Sequence, residues 1–276
     1  MSASKKRGRP VTRCIVYFHG TPGAPAEAAV LQHHAAAVGL KVICPDRYAV
    51  DARITGARYF QALADDIVQQ AHGRPVDIVG FSMGAFVALQ VCRLIPEQVA
   101  SLHLVAAAAP LDGGDFLPHM AGKTVFAMVK AWPVVFKLMS YWQGLLASVW
   151  PSMLYKMLFA SAVAGDKALA RDPDFRDLIG GVLQACFSRD KMPGYLRDVQ
   201  AYVSSWRHTL TGITVKTHLW HGDQDNWAPV AMSTYLAQAL KGCEGVHILA
   251  GLSHYSALYA AAPQICALCG RDQGAL

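Results

Sequence analysis

Ser82 stands in the run Val76-Asp77-Ile78-Val79-Gly80-Phe81-Ser82-Met83-Gly84-Ala85, where an apolar, β-branched stretch stops at Gly-x-Ser-x-Gly and a helix-like stretch, Phe86-Val87-Ala88-Leu89-Gln90-Val91, follows at once. A serine hydroxyl becomes a nucleophile when a neighbouring base takes its proton. A sharp strand-to-helix turn supplies the place: it holds the serine in strained backbone angles and needs nearly side-chain-free neighbours two before and two after, as Gly80 and Gly84 are. Such a turn lifts the hydroxyl above the sheet edge and aims the first free helix amide, that of Met83, at a developing oxyanion. Close packing of a helix on a strand would also favour small residues here. The strand before and the helix after point to a nucleophile.

A base and an acid belong at the carboxyl ends of the later strands, where reacting groups gather in a parallel sheet. Leu219-Trp220-His221-Gly222-Asp223-Gln224-Asp225-Asn226-Trp227-Ala228-Pro229 ends one strand with two carboxylates before a proline opens a helix, and Ala250-Gly251-Leu252-Ser253-His254 ends the last strand with an imidazole. A histidine there can take the serine proton while a buried carboxylate fixes its tautomer. At this level Asp223 and Asp225 compete.

The elements that must position these groups follow from hydrophobic periodicity. Short apolar runs at Cys14–Phe18, Lys41–Cys44, Pro75–Phe81, Val99–Ala107, Val215–Trp220 and Gly245–Leu249 alternate with helical patterns at Ala26–Val38, 56–71, Gly84–Leu94, Val230–Leu240 and a last helix. Such alternation predicts an α/β fold, a mostly parallel sheet with helices on both faces. Regular alternation stops between Leu111 and Gly212, predicting an insertion of about a hundred residues within one sheet domain. The expected organisation is a disordered basic tail (1–12), a core (13–110 and 213–276) and a helical cap (111–212).

Nearly the whole chain outside the insertion resembles the α/β-hydrolase family in its serine hydrolase branch. In that family the acid commonly sits three residues after the glycine of a His-Gly-x-x-Asp loop and four before a proline, so the resemblance selects Asp225; some members place the acid after an earlier strand, which makes Asp112 or Asp115, just after the strand that ends near Ala109, further candidates. It places the base in a post-strand loop, which selects His254, in the order Ser, Asp, His. It draws a second oxyanion amide from the loop Phe18-His19-Gly20-Thr21-Pro22-Gly23, which assigns Thr21 beside Met83. His19 is expected to shape that loop and His221 to support the acid loop. The family's antiparallel strand pair before the His-Gly strand is shortened or absent here, since only about a dozen residues precede it. Pro45-Asp46-Arg47 matches the family's Asp-Arg turn, but Tyr48-Ala49-Val50 replaces the usual Gly-x-Gly. Ser82 stands where the dehalogenase and epoxide-hydrolase branches carry aspartate, which disfavours those chemistries. An insertion at this position forms a lid in the family.

The insertion is rich in aromatic residues from Phe126 to Phe159, with Lys123, Lys130 and Lys137 seven apart, as one polar stripe on an otherwise apolar helix that Pro133 kinks or divides. An apolar small-molecule substrate is expected, met by Phe81, Trp132, Phe136 and Trp227, with peripheral membrane contact through the cap as a minor expectation. Polar residues interrupt Leu138–Tyr155, so no transmembrane span is expected.

Composition excludes other classes. The formal charge is +6, and five of those charges are Lys5, Lys6, Arg7, Arg9 and Arg13, so a nucleic-acid-binding face across the fold is not expected. Arg7-Gly8-Arg9-Pro10 resembles one AT-hook core, which a solvated basic tail explains better. Seven cysteines, with Cys14 and Cys44 inside strand-like runs, indicate reduced usage, and Cys266-x-x-Cys269 lacks the second pair of a closed zinc site. His33-His34 has no nearby ligand set. No leader peptide is expected, and a cytoplasmic enzyme without metal or organic cofactor is expected. The expected function is a serine hydrolase cleaving an ester, thioester or lactone through an acyl-enzyme. The alternatives are a carbon–carbon bond hydrolase or acyltransferase on the same fold, or a non-catalytic lid-gated receptor.

Overall fold

The computed structural model describes residues 13–271; the basic tail and its Arg-Gly-Arg-Pro run lie outside the described residues. Six strands, β1 (Cys14–Phe18), β2 (Lys41–Ile43), β3 (Val76–Phe81), β4 (Val99–Val105), β5 (Thr217–Gly222) and β6 (Cys243–Leu249), form one sheet in the order β2-β1-β3-β4-β5-β6. Every neighbouring pair is parallel. β1, β3 and β4 are buried almost throughout, as strands covered on both faces must be, and their sequences are accordingly near-continuous apolar runs. β6, at the edge, alternates between half-buried and exposed residues.

The helices are α1 (Ala29–Ala37), α2 (Gly56–Gln70), α3 (Gly84–Leu94), α4 (Lys123–Ala131), α5 (Pro133–Val149), α6 (Pro151–Leu158), α7 (Ala164–Leu169), α8 (Pro173–Cys186), α9 (Met192–Val203), α10 (Ala231–Ala239) and α11 (His254–Arg271). Between β4 and β5 the chain forms only helices among the described residues, α4 to α9 and short 3-10 turns. Prolines at the first turn of α5, α6, α8 and α9 start these helices, since a proline there loses no helical hydrogen bond.

Pro133 divides the apolar helical segment rather than kinking it: Trp132 closes α4 and precedes the first turn of α5. The expected single lysine stripe is therefore broken, with Lys123 and Lys130 on α4 and Lys137 on α5. Cys266 and Cys269 lie buried on α11, where Cys269 Sγ approaches His103 Nε2 at 3.7 Å. Among the described residues no cluster of histidines, cysteines and carboxylates could hold a metal ion.

Candidate active site

Ser82 follows the last residue of β3 and takes a φ of 55°, a left-handed backbone that a non-glycine residue adopts at a cost of roughly 1–3 kcal/mol. The surrounding turn shows why the motif needs its glycines. A Cβ on Gly80 would lie 2.7 Å from the Ala85 Cα, and one on Gly84 would collide with the carbonyl oxygens of Phe18 and His19. Gly84 thus lets the head of α3 abut the end of β1, so the Met83 amide and the 19–21 loop face one site. Among the described residues neither the Thr21 nor the Met83 amide has a partner within the fold. Both residues and Ser82 line one cavity.

Asp225 and His254 come from different strand ends, and Gly222 explains their meeting. It lies so close to the carbonyl oxygens of Leu252 and Ser253 that a side chain would not fit, and the two loops therefore run in contact. His254 Nδ1 then lies 2.8 Å from Asp225 Oδ2. A carboxylate only accepts, so the proton of the neutral ring resides on Nδ1 and Nε2 carries the lone pair. The other carboxylate oxygen accepts from the amides of Trp227 at 2.8 Å and Ala228 at 3.0 Å. His221 Nε2 donates to the Ala228 carbonyl at 2.7 Å, its Nδ1 accepts from Ser233 Oγ at 2.6 Å, and its ring lies 3.4 Å from Asp225. Burial alone would raise the Asp225 pKa, but the two imidazoles hold it well below the usual carboxylate range. Burial would likewise lower that of His254, and the Asp225 carboxylate overrides it, so His254 lies above an ordinary histidine.

The competing carboxylates sit elsewhere. Asp223 accepts from the Gly251 amide at 2.8 Å, staying on the outer side of the loop pair, and Asp112 and Asp115 are exposed, with Asp112 accepting from Ser205 Oγ at 2.5 Å. His33 and His34 meet only edge to face, 5.6 Å apart.

The cavity has a volume of about 290 Å³ and is lined mainly by apolar side chains, among them Met120, Val125, Phe126, Leu154, Met157, Leu183 and Phe187. Trp227 lines it too and stacks on the His254 ring at 5.5 Å, 12° from parallel. The other residues expected to meet substrate are placed differently. Phe81, the last residue of β3, is fully buried under His254 and Tyr255, with ring centroids 4.8 and 5.2 Å away. Phe136 is buried inside the insertion on the inner face of α5, 6.1 Å from the Tyr195 ring. Trp132 is 67% exposed at the break between α4 and α5. None of these three lines the cavity. Periodicity could identify them as apolar but not say which way the insertion turns Trp132 and Phe136, or that His254 and Tyr255 cover Phe81.

Residues without a catalytic motif hold the site in shape. Arg47 is fully buried and donates to the carbonyl oxygens of His19 at 2.9 Å and Gly20 at 2.7 Å and to Thr21 Oγ1 at 2.8 Å, while pairing with Asp198 of α9. Tyr48, where the family pattern has a glycine, bonds Thr21 Oγ1 at 2.9 Å and sits edge-on to His19 and Tyr195. Glu27 accepts from the Gly20 amide at 2.8 Å and from Tyr17 at 2.7 Å. Burial, helped by the nearby Arg47 charge, keeps the His19 pKa well below the usual value, so His19 is neutral and structural. From α7, Asp166 accepts from the amides of Tyr255 at 3.2 Å and Ser256 at 2.8 Å, capping the helix that begins with His254. Only Arg47 belongs to a motif visible in the sequence; Glu27, Asp166 and Asp198 carry no local signal.

Residues 15–267 match the model described as "Alpha/beta hydrolase family". A protein named pimeloyl-[acyl-carrier protein] methyl ester esterase, from Neisseria meningitidis serogroup B / serotype 15 (strain H44/76), is 30% identical over 184 residues, 66% of this chain. The chain spans 62% of that relative's length. An esterase from Exiguobacterium antarcticum superposes with a TM-score of 0.67 at 20% identity, covering 95% of this chain and 92% of that one. A bromoperoxidase from Bacillus anthracis superposes with a TM-score of 0.65 at 18% identity over 95% and 92% of the two chains. One frame thus serves two named chemistries, and likeness at these identities is likeness of fold.

Proposed function

The chain belongs to the alpha/beta hydrolase family, and from that premise we propose that it is a serine hydrolase cleaving an ester, thioester or lactone with a largely apolar acyl or alcohol part. The carrying observation is the Asp225–His254 pair beside an apolar cavity into which Ser82, at φ 55°, opens. The relatives named as methyl ester esterases support an ester as the bond cleaved.

In this reading His254 Nε2 takes the proton as Ser82 Oγ attacks the carbonyl carbon, and Asp225 stabilises the resulting imidazolium. The Thr21 and Met83 amides donate to the oxyanion of the tetrahedral intermediate. Collapse expels the alcohol, thiol or lactone oxygen with the proton from His254 and leaves an acyl group on Ser82. Water, deprotonated by the same imidazole, attacks that acyl group, the second tetrahedral intermediate releases the acid, and Ser82 recovers its proton. The helical insertion acts as a cap whose α4, α6 and α8 side chains hold the apolar part of the substrate. The cycle calls for neither metal nor organic cofactor.

A fluorophosphonate probe and a panel of esters of graded chain length test the reading. Wild type is labelled and Ser82→Ala is not; a wild type that neither reacts with the probe nor turns over any ester sinks the proposal in favour of a small-ligand receptor.

A further inference from the structure

Helix α5 is apolar on both of its sides. Phe136, Leu146 and Ala147 are buried. On the other side Val134, Leu138, Tyr141, Trp142, Leu145 and Val149, which share one face of a 3.6-residue helix, are all exposed. A helix whose outer side meets water carries polar residues there, and one that is apolar all round is normally covered. Trp132 and Trp150, at the two ends of α5, and Met153 and Met157 on α6, which packs against α5, are exposed as well. Exposed apolar side chains gathered on neighbouring helices mark an interaction site.

Charge identifies the occupant. No aspartate or glutamate occurs from residue 116 to residue 165, while Lys123, Lys130, Lys137 and Lys156 are exposed in that span. A second copy bound across a two-fold axis would set this face against itself. Lysines would approach lysines with no carboxylate of the face to pair them. An anionic bilayer complements both properties: indole rings settle at headgroup level, aliphatic side chains enter the acyl boundary, and lysine stems cross apolar surface to place their ammonium groups among phosphates. No helix among the described residues is long and apolar enough to cross a membrane, so such contact lies in the plane of the surface. α5, with 17 residues, lays about 25 Å of helix along it.

We propose that the exposed α5–α6 face docks this protein onto anionic lipid bilayers. Met157 belongs both to this face and to the cavity wall, so an apolar substrate dissolved in the bilayer meets the cavity at the docked surface. Docking rests on the face alone and stands whether or not Ser82 is a nucleophile.

The test uses the full chain with vesicles of phosphatidylcholine alone and of phosphatidylcholine mixed with phosphatidylglycerol, read by co-sedimentation and by quenching of tryptophan emission with brominated lipid. Wild type binds the mixed vesicles, more weakly those of phosphatidylcholine, and its emission is quenched. The combined variant Leu138→Ser, Trp142→Ser, Leu145→Ser loses vesicle binding; all three positions are exposed, so its thermal unfolding and its turnover of a short soluble ester stay at wild-type values. Lys130→Gln with Lys137→Gln weakens partitioning onto the mixed vesicles roughly 30-fold. Changing Lys5, Lys6, Arg7 and Arg9 together to glutamine leaves most of the binding in place. Absence of binding by wild type, binding that survives the triple serine change, or binding lost only with the tail variant each overturns the proposal. So does a dimer on size-exclusion chromatography that the triple serine change splits while vesicles are ignored.

Discussion

At the scale of single residues, the choice between Asp223 and Asp225 is made by which carboxylate can see an imidazole. Asp225 lies 2.8 Å from His254 Nδ1, whereas Asp223 is engaged with the Gly251 amide. Asp225→Asn replaces an acceptor with a group that can turn its N–H toward Nδ1 and favour the wrong tautomer, so kcat falls by about 10³–10⁴-fold. Asp223→Asn keeps kcat within a few-fold of wild type, and steady-state kinetics on one ester compares the two. His254 must be neutral to act as base. The Asp225 carboxylate, overriding burial, raises its pKa above 6.5, and kcat/KM therefore falls with pH through a midpoint above that value. In Asp225→Asn the raising charge is gone and burial remains, so the acidic limb in the residual activity moves to lower pH. A limb that stays put would detach the imidazole from this carboxylate.

At the scale of elements, the site depends on backbone segments that approach more closely than side chains permit. Gly84→Ala places a methyl against the Phe18 and His19 carbonyls, so either α3 retreats or the loop after β1 shifts. A loss of about 3 kcal/mol or more is expected in denaturant unfolding, together with slower probe labelling of Ser82. Arg47 joins three elements, holding the loop after β1 from the turn after β2 and pairing with Asp198 on α9. Asp198 keeps Arg197 at 2.9 Å and Tyr59 at 3.1 Å if Arg47 is removed, so the damage concentrates on the loop. Arg47→Met lowers kcat by about 10–100-fold through misplacement of the Thr21 amide, with KM changing less. Equal losses in kcat and in the folded fraction would instead make Arg47 a general stability residue.

At the scale of the whole molecule, the insertion lines the cavity that Ser82 also lines and is tied to the helix that begins with His254 as well as to the loop after β1. Asp166 of α7 caps α11, and Gly165 packs so tightly on Ser256 that a Cβ would lie 2.7 Å from its Oγ. The insertion also sets the size of the cavity. Leu183→Trp on α8 fills part of the 290 Å³ lined by that helix and shifts the ester panel toward shorter chains while sparing the shortest substrate. An unchanged chain-length profile would show that substrate lies along another wall.

The parallel sheet, the strand-to-helix turn at Ser82 and the candidacy of Asp225 and His254 were readable along the chain, because each rests on local periodicity or on a glycine within a few residues of the group it serves. Strand ends matched the periodic runs to within a residue or two for the same reason. Other features depended on the meeting of distant segments. Glu27, Asp166 and Asp198 acquire roles through partners far away in sequence or on another element, and no spacing rule connects them. Trp132, Phe136 and Phe81 were recognisable as apolar, but where Trp132 and Phe136 point depended on Pro133 ending one helix and starting another and on which face of α5 packs inward, and Phe81 is covered by His254 and Tyr255 from the far end of the chain. The sequence by itself marked the insertion as apolar, aromatic-rich helix; only packing decided that the apolar side chains of α5 left uncovered would gather on one face, since a helix buries the side that fits its neighbours and leaves the other to whatever surrounds the protein.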